Sequence, residues 1–427
     1  MSKLKKLFVR TFSCNRRNRT LCLLLAVCML LTPMWALRAD ATLGLASNAN
    51  IAQAEQVINF YATQYNTTYT IRDSMVLKSL SGGDDAYTLY TLDPYGYAIL
   101  LSETNSLMEA CYVKDSSPPI PVTSPEPIYY GGPNEFFVKA GDDFRQILEN
   151  YTISFTDADL AKSPEASVRS NELALAKQDA EHSTRSGSPV THSVSPSYFS
   201  SLSQFGKNEH GTCTVLATAI LLGYYDFWFS ENYVTNMYED GIGTNQAFHH
   251  LLNMYVYGTA TPSDGGIKIR DAAGSINRYL DDKGITANFC YDYSLLNLYS
   301  PTGTIIDNLQ GGKPVVASMV KSKGAEYNHT VVIYSVTYDP SNEMGSAVYT
   351  AHMGWDDPGY YAVTLNCKWF SECGYIFCGL EDHSCTSNWS YETYLQCVGY
   401  CDCGHKISKF HNIGSDGYCV DCDTLIP

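Results

Sequence analysis

The chain has 427 residues, 45 % of them apolar and only 17 % charged, with 33 tyrosines. That length accommodates two or three domains, and the apolar share excludes a largely disordered chain. A formal net charge of −16 repels phosphate backbones, which excludes nucleic acid as a partner.

Residues 1–41 read as an export signal. Basic residues from Lys3 to Arg19 precede an uncharged, mostly apolar run, Leu21 to Leu37, and Ala39-Asp40-Ala41 supplies a small-x-small cleavage site. The competing reading is an uncleaved membrane anchor. No later segment has the ~20-residue apolar length that spans a bilayer, so the cleaved product is expected outside the cell, off the membrane or at the cell surface. Cleavage removes eight of the 28 Lys+Arg and one of the 44 Asp+Glu, leaving a still more acidic chain.

Residues 42–155 are expected to form a first folded unit. Ile51, Ala54, Val57, Ile58 and Tyr61 recur at helical spacing. A hairpin follows, Tyr87 to Leu92 and Tyr97 to Leu101 around the turn Asp93-Pro94-Tyr95-Gly96. Phe144, Ile147 and Leu148 suggest a short closing helix. Residues 156–196 are rich in Ser, Ala and charge and read as linker, with one exposed helix around Glu172 to Glu181. Arg169, Lys177 and Arg185 stand there as accessible cutting sites.

Residues 197–384 hold the main core. Helical patterns at Cys213–Trp228, Asn245–Tyr255 and Ile269–Lys283 precede β-rich segments at Val315–Val320, Thr330–Val336, Ala347–Thr350 and Tyr360–Leu365. Helices first and strands second predict an α+β domain.

Cys213 follows the small residues Gly211-Thr212 and opens a helix that is apolar all round, so a thiol sits where a buried helix begins. Unpaired N–H groups and the helix dipole there favour a thiolate, although a single cysteine is as readily a small core residue. Of the ten histidines, His329 differs in opening the strand Thr330–Val336, where it would be held rigidly and could face a cleft. A Cys–His pair needs an orienting group and an oxyanion donor. His352 could orient His329, with Asp339 and Asp356 as rivals, and Gln204 could supply the oxyanion amide.

The order Gln204, Cys213 heading an apolar helix that ends Gly223-Tyr224-Tyr225, His329 before a Val/Ile strand, then Gly354-Trp355 resembles streptopain-type papain-like cysteine peptidases. It also resembles the peptidase domains that process bacteriocin leaders. The resemblance implies a buried catalytic helix packed on an antiparallel sheet, protein or peptide substrates, and no catalytic cofactor. It places His352 where the family carries an Asn, and Met353 where it carries a Trp. The N-terminal helix, the Tyr-rich hairpin and the run Ser106 to Val113 resemble the family's inhibitory propeptide, an α+β unit. Cleavage between about Tyr151 and Pro196 would then release the active enzyme.

Nine of the fifteen cysteines fall between Cys367 and Cys422, which points to a small module at residues 385–427. Cys401, Cys403, Cys419 and Cys422, with His411 as a substitute ligand, have the spacing of a structural zinc site. A disulfide knot is the alternative. The tail resembles zinc-ribbon-like modules appended to Gram-positive surface proteins, and a structural or surface-anchoring role is expected. Two other functions compete with a secreted peptidase zymogen: a papain-like cell-wall amidase, and a surface binding protein that has lost catalysis.

Overall fold

The computed structural model describes residues 48–114, 116–148, 150–182, 188–202, 211–229, 232–262, 266–293, 301–319, 329–354, 361–377, 389–391, 396–400, 406–410 and 418. The export signal, Gln204, Arg185, Asp356 and the five expected zinc ligands lie outside them. Residues 55–427 form one compact unit. The other, residues 1–54, is described only where it opens the helix Asn48–Tyr61.

The chain is α+β, and the described strands of its main sheet number 15. In chain order they are β1 (Thr70–Ser79), β2 (Asp85–Asp93), β3 (Tyr97–Leu101), β4 (Ser106–Cys111), β5 (Tyr129–Gly132), β6 (Glu135–Ala140), β7 (Asp143–Gln146) and β8 (Thr152–Ile153). Then come β9 (Val190–Ser193) and β12 (Asn288–Tyr293), with β10 (Glu239–Asp240) and β11 (Gly243–Thr244) between them in the chain forming a two-stranded sheet of their own. The last are β13 (Val315–Met319), β14 (His329–Tyr338), β15 (Val348–His352), β16 (Val363–Asn366) and β17 (Phe370–Phe377). A separate three-stranded sheet in the tail uses β18 (Trp389–Tyr391), β19 (Gln396–Tyr400) and β20 (Lys406–Phe410).

The sheet runs β12-β17-β13-β14-β15-β16-β4-β3-β2-β1-β5-β6-β7-β8, antiparallel except where β1 meets β5. β14 is its spine. Its ten residues, rich in Val, Thr and Tyr, are all buried, as β-branched and aromatic side chains on a two-sided sheet should be. β13 occupies one edge of its first half and β9 the same edge of its second, with β15 opposite.

The N-terminal strands are therefore not a separate sheet. β4 pairs with β16 in the register Val363↔Cys111, Thr364↔Ala110 and Leu365↔Glu109. Side chains reinforce the seam: Asn366 Nδ2 donates to Leu107 O at 2.9 Å and Tyr61 Oη to Ser346 O at 2.9 Å.

Two expectations fail. Phe144, Ile147 and Leu148 have helical spacing, but Asp143–Gln146 is a strand, paired with β6 through Phe137↔Gln146. The segment 156–196 is not mainly linker. It holds helices Asp157–Ala161 and Pro164–His182 and the strand β9. The longer helix docks through charged groups: Ser79 Oγ, Ser81 N and Tyr87 Oη all donate to Glu165, and Arg169 grips Asp84 with two bonds of 3.0 and 2.7 Å. Arg169 is thus tied down and is no open cutting site.

At the seam, Glu109 is fully buried and accepts from Tyr97 Oη at 2.7 Å and Tyr130 Oη at 3.2 Å. Burial outweighs those hydrogen bonds and pushes its carboxyl up to about 7. A carboxyl raised on folding gives its full stability below its ordinary range and loses it as pH climbs toward 7. Stability of a Cys213→Ala chain, by urea unfolding, should fall by about 2.5 kcal/mol between pH 5 and pH 8 through this group. Glu109→Gln should flatten that slope; an equal slope in the variant would contradict the assignment.

Candidate active site

The helix Cys213–Trp228 is buried from Cys213 through Asp226 and packs on β13, β14 and the helix Gln246–Tyr257. An apolar sequence all round leaves no face for water, so the helix must lie inside. Thr212 precedes it without a side-chain capping bond, so no threonine hydroxyl occupies the first-turn N–H groups.

One direct contact and a turn shared by both bring the start of this helix to the start of β14. Thr214 Oγ1 donates to Ile267 O at 2.7 Å and lies 2.9 Å from Thr330 Oγ1. A hydroxyl has one proton, so Thr330 is the donor between the two threonines. Each threonine directly follows a candidate catalytic residue, Cys213 or His329. His329 Nε2 is 2.8 Å from Met353 O. Finally, Gly354 adopts φ +75°, and a Cβ there would stand 3.2 Å from Leu216 in the first turn of the Cys213 helix. The turn that receives His329 therefore rests on the helix that presents Cys213.

The bond to Met353 also fixes the imidazole. A carbonyl only accepts, so Nε2 carries the proton, and a neutral ring then holds its basic lone pair on Nδ1. The orienting partner in this bond is a backbone oxygen rather than a side chain. His352 acts one step back. It is buried, its Nδ1 accepts from Gly354 N at 3.0 Å, and burial pulls its pKa down to about 4. A neutral His352 braces the turn that carries the Met353 carbonyl.

Asp339 does not come near. It follows the far end of β14, about 30 Å along the strand from His329, and its Oδ1 accepts from Ser341 N and Oγ. Gln204 and Asp356 lie outside the described residues, as do Cys401, Cys403, His411, Cys419 and Cys422. Among the described residues no group of His, Cys, Asp and Glu could hold a metal ion. Cys111, Cys213, Cys290, Cys367 and Cys373 are thiols.

A cleft opens beside Cys213. Thr212 and Leu216 form one side, and Gln246, His249, His250 and Asn253 the other, with Thr261 and Pro262 completing it. The second wall is the helix Gln246–Tyr257, started by the Asn245 side chain accepting from Phe248 N at 3.2 Å and ended by Gly258 at φ +75°. Burial, with His250 nearby, pulls the His249 pKa down to about 4. The Tyr257 hydroxyl is pushed up to about 12 by burial and by the Cys213 thiol. Sequence reasoning passed over this wall. A polar side in a helix headed by a good cap was its only visible sign.

No protein-family model and no curated protein matches the sequence. Among solved structures the chain is similar to a fragment of prointerpain A from Prevotella intermedia. The similarity covers 71 % of this chain and 97 % of that one, at 12 % identity and a TM-score of 0.32. A likeness at that level says nothing about activity.

Proposed function

We propose that the chain is a secreted cysteine endopeptidase made as a zymogen, with Cys213 as nucleophile and His329 as base. The observation that carries this reading is the His329 Nε2–Met353 O bond, which aligns an imidazole beside the first turn of a buried helix headed by a cysteine. His329 Nδ1 takes the thiol proton, and the sulfur attacks the carbonyl carbon of the scissile bond. The oxyanion is held by the Cys213 N–H and the Gln204 amide. His329 then gives its proton to the amine as the C–N bond breaks, leaving a thioester. Water, deprotonated by the same imidazole, releases the acid and restores the thiol.

The N-terminal strands would act as the propeptide. In support, β4 adds to the edge of β16, and the helix Pro164–His182 ties both halves together. Processing would fall after that helix, around Arg185. The tail would bind one structural zinc through four of Cys401, Cys403, His411, Cys419 and Cys422 and hold the enzyme at the cell surface. Casein hydrolysis by the reduced protein at neutral pH, absent from Cys213→Ala, tests the reading. Equal activity in the variant would remove Cys213 from the chemistry.

A further inference from the structure

The helix Gln246–Tyr257 carries two buried polar atoms without use in the described fold. Asn253 is 4 % exposed. Its Nδ2 donates to Ala260 O at 2.9 Å, and because a carbonyl can only accept, the amide cannot be turned round. That fixes Oδ1 as an acceptor, and it has no donor among the described residues. One turn further on, the Tyr257 hydroxyl is also buried without a partner among them.

Residues four apart share a helix face. Here that face is turned toward the proposed nucleophile. Asn253 lines the cleft together with Thr212 and Leu216, which flank Cys213, and Tyr257 lies one turn beyond Asn253 on the same helix, near enough to Cys213 for the sulfur to help raise its hydroxyl. Buried polar groups are nearly always paired, because an orphan gives up water for nothing. Two buried polar atoms on one face, unpaired among the described residues and close to the proposed nucleophile, mark a place where the polar groups of a ligand would find partners.

Their chemistry defines that ligand. An acceptor beside a hydroxyl donor matches the N–H and C=O of a single amide. The described lining contains no Asp, Glu, Lys or Arg and burial disfavours the charged form of His249, so a cation finds no carboxylate there and only His250 is left to meet an anion. We propose that the inner end of this cleft binds an uncharged amide of the substrate, Asn253 Oδ1 accepting its N–H and the Tyr257 hydroxyl donating to its C=O. The amide is either a carboxamide side chain or a peptide unit of the main chain. That a substrate peptide is what brings it there rests on the peptidase reading.

The test uses the full chain carrying Cys213→Ala, which binds peptide without consuming it. The probes are a pentapeptide with a central glutamine, its leucine counterpart, and leucine peptides in which each amide in turn is an ester. Removing the amide that fills the cleft should weaken binding at least about tenfold. The loss comes on exchanging glutamine for leucine if the source is a side chain, and with one ester if it is main chain. Asn253→Leu, which removes the acceptor of the amide N–H, should shrink that difference to below about twofold, and Tyr257→Phe should reduce the glutamine–leucine difference part of the way. Tyr257→Phe should also hold or raise the unfolding midpoint, since it removes an unpaired buried hydroxyl.

The inference is overturned if no probe pair differs, or if the difference survives both variants. A midpoint lowered by several degrees in Tyr257→Phe would also overturn it, because the hydroxyl would then have a structural partner. Amide-dependent binding with no hydrolysis by the wild-type protein would sink the peptidase reading alone. Hydrolysis without amide dependence would sink the cleft alone.

Discussion

On the peptidase reading, replacing His329 by alanine is expected to slow peptide hydrolysis by about 10³- to 10⁴-fold. The size follows from what the ring does. Without it no group takes the thiol proton or returns one to the leaving amine, and oxyanion stabilisation and substrate binding alone remain. His329→Gln should not rescue the rate, because an amide can bond Met353 O yet cannot shuttle a proton. Rates of either variant within tenfold of wild type would show that the base lies elsewhere.

Lys368→Met is expected to destabilise the chain by about 3–5 kcal/mol, the cost of leaving one member of a buried ion pair behind. Lys368 Nζ meets Glu172 Oε1 at 2.5 Å, with side-chain exposures of 14 % and 7 %. Asn366 Nδ2 donates to the same carboxylate at 2.9 Å, and Lys368 Nζ donates also to Gly345 O. Burial pushes the Glu172 carboxyl up, but the Lys368 ammonium and the hydrogen bonds outweigh it and hold the pKa below the ordinary value. Take the lysine away and only the burial cost is left. The double variant Lys368→Met with Glu172→Leu should recover most of the loss, because two apolar groups need no partner. Urea unfolding reads both; a single-variant loss under about 1 kcal/mol would mean the pair is solvated.

The fate of residues 156–196 shows where sequence reading stops. Glu165, Arg169 and Glu172 looked like solvent-facing charges on an exposed helix or a linker. In the fold Glu165 and Glu172 are buried hydrogen-bonding groups that fasten the helix Pro164–His182 to two different parts of the sheet. A charge's partner is set by the tertiary structure, so its burial leaves no local trace in the sequence. Asp143–Gln146 fails for a related reason: a spacing of three and four residues fits a helix, but strand pairing with β6 decided.

Where local pattern and tertiary need agree, the sequence was enough. The Cys213 helix is apolar all round and β14 is a run of Val, Ile, Thr and Tyr, and both appear where expected. The neighbours of the candidate pair were harder. His329 bonds to a main-chain oxygen, and any residue type has one. Asn253 and Tyr257 come to the site only because their helix packs on the helix of Cys213.

The most direct test of the central claim is a time course. The chain from residue 42 onward is held at neutral pH with reductant, beside Cys213→Ala, while its size and its casein hydrolysis are followed. Loss of the segment ahead of the Cys213 region, with activity rising in step and neither event in the variant, is the predicted result. A wild-type chain that stays inert after tryptic trimming near Arg185, with Cys213 unreactive toward iodoacetamide, would contradict the account.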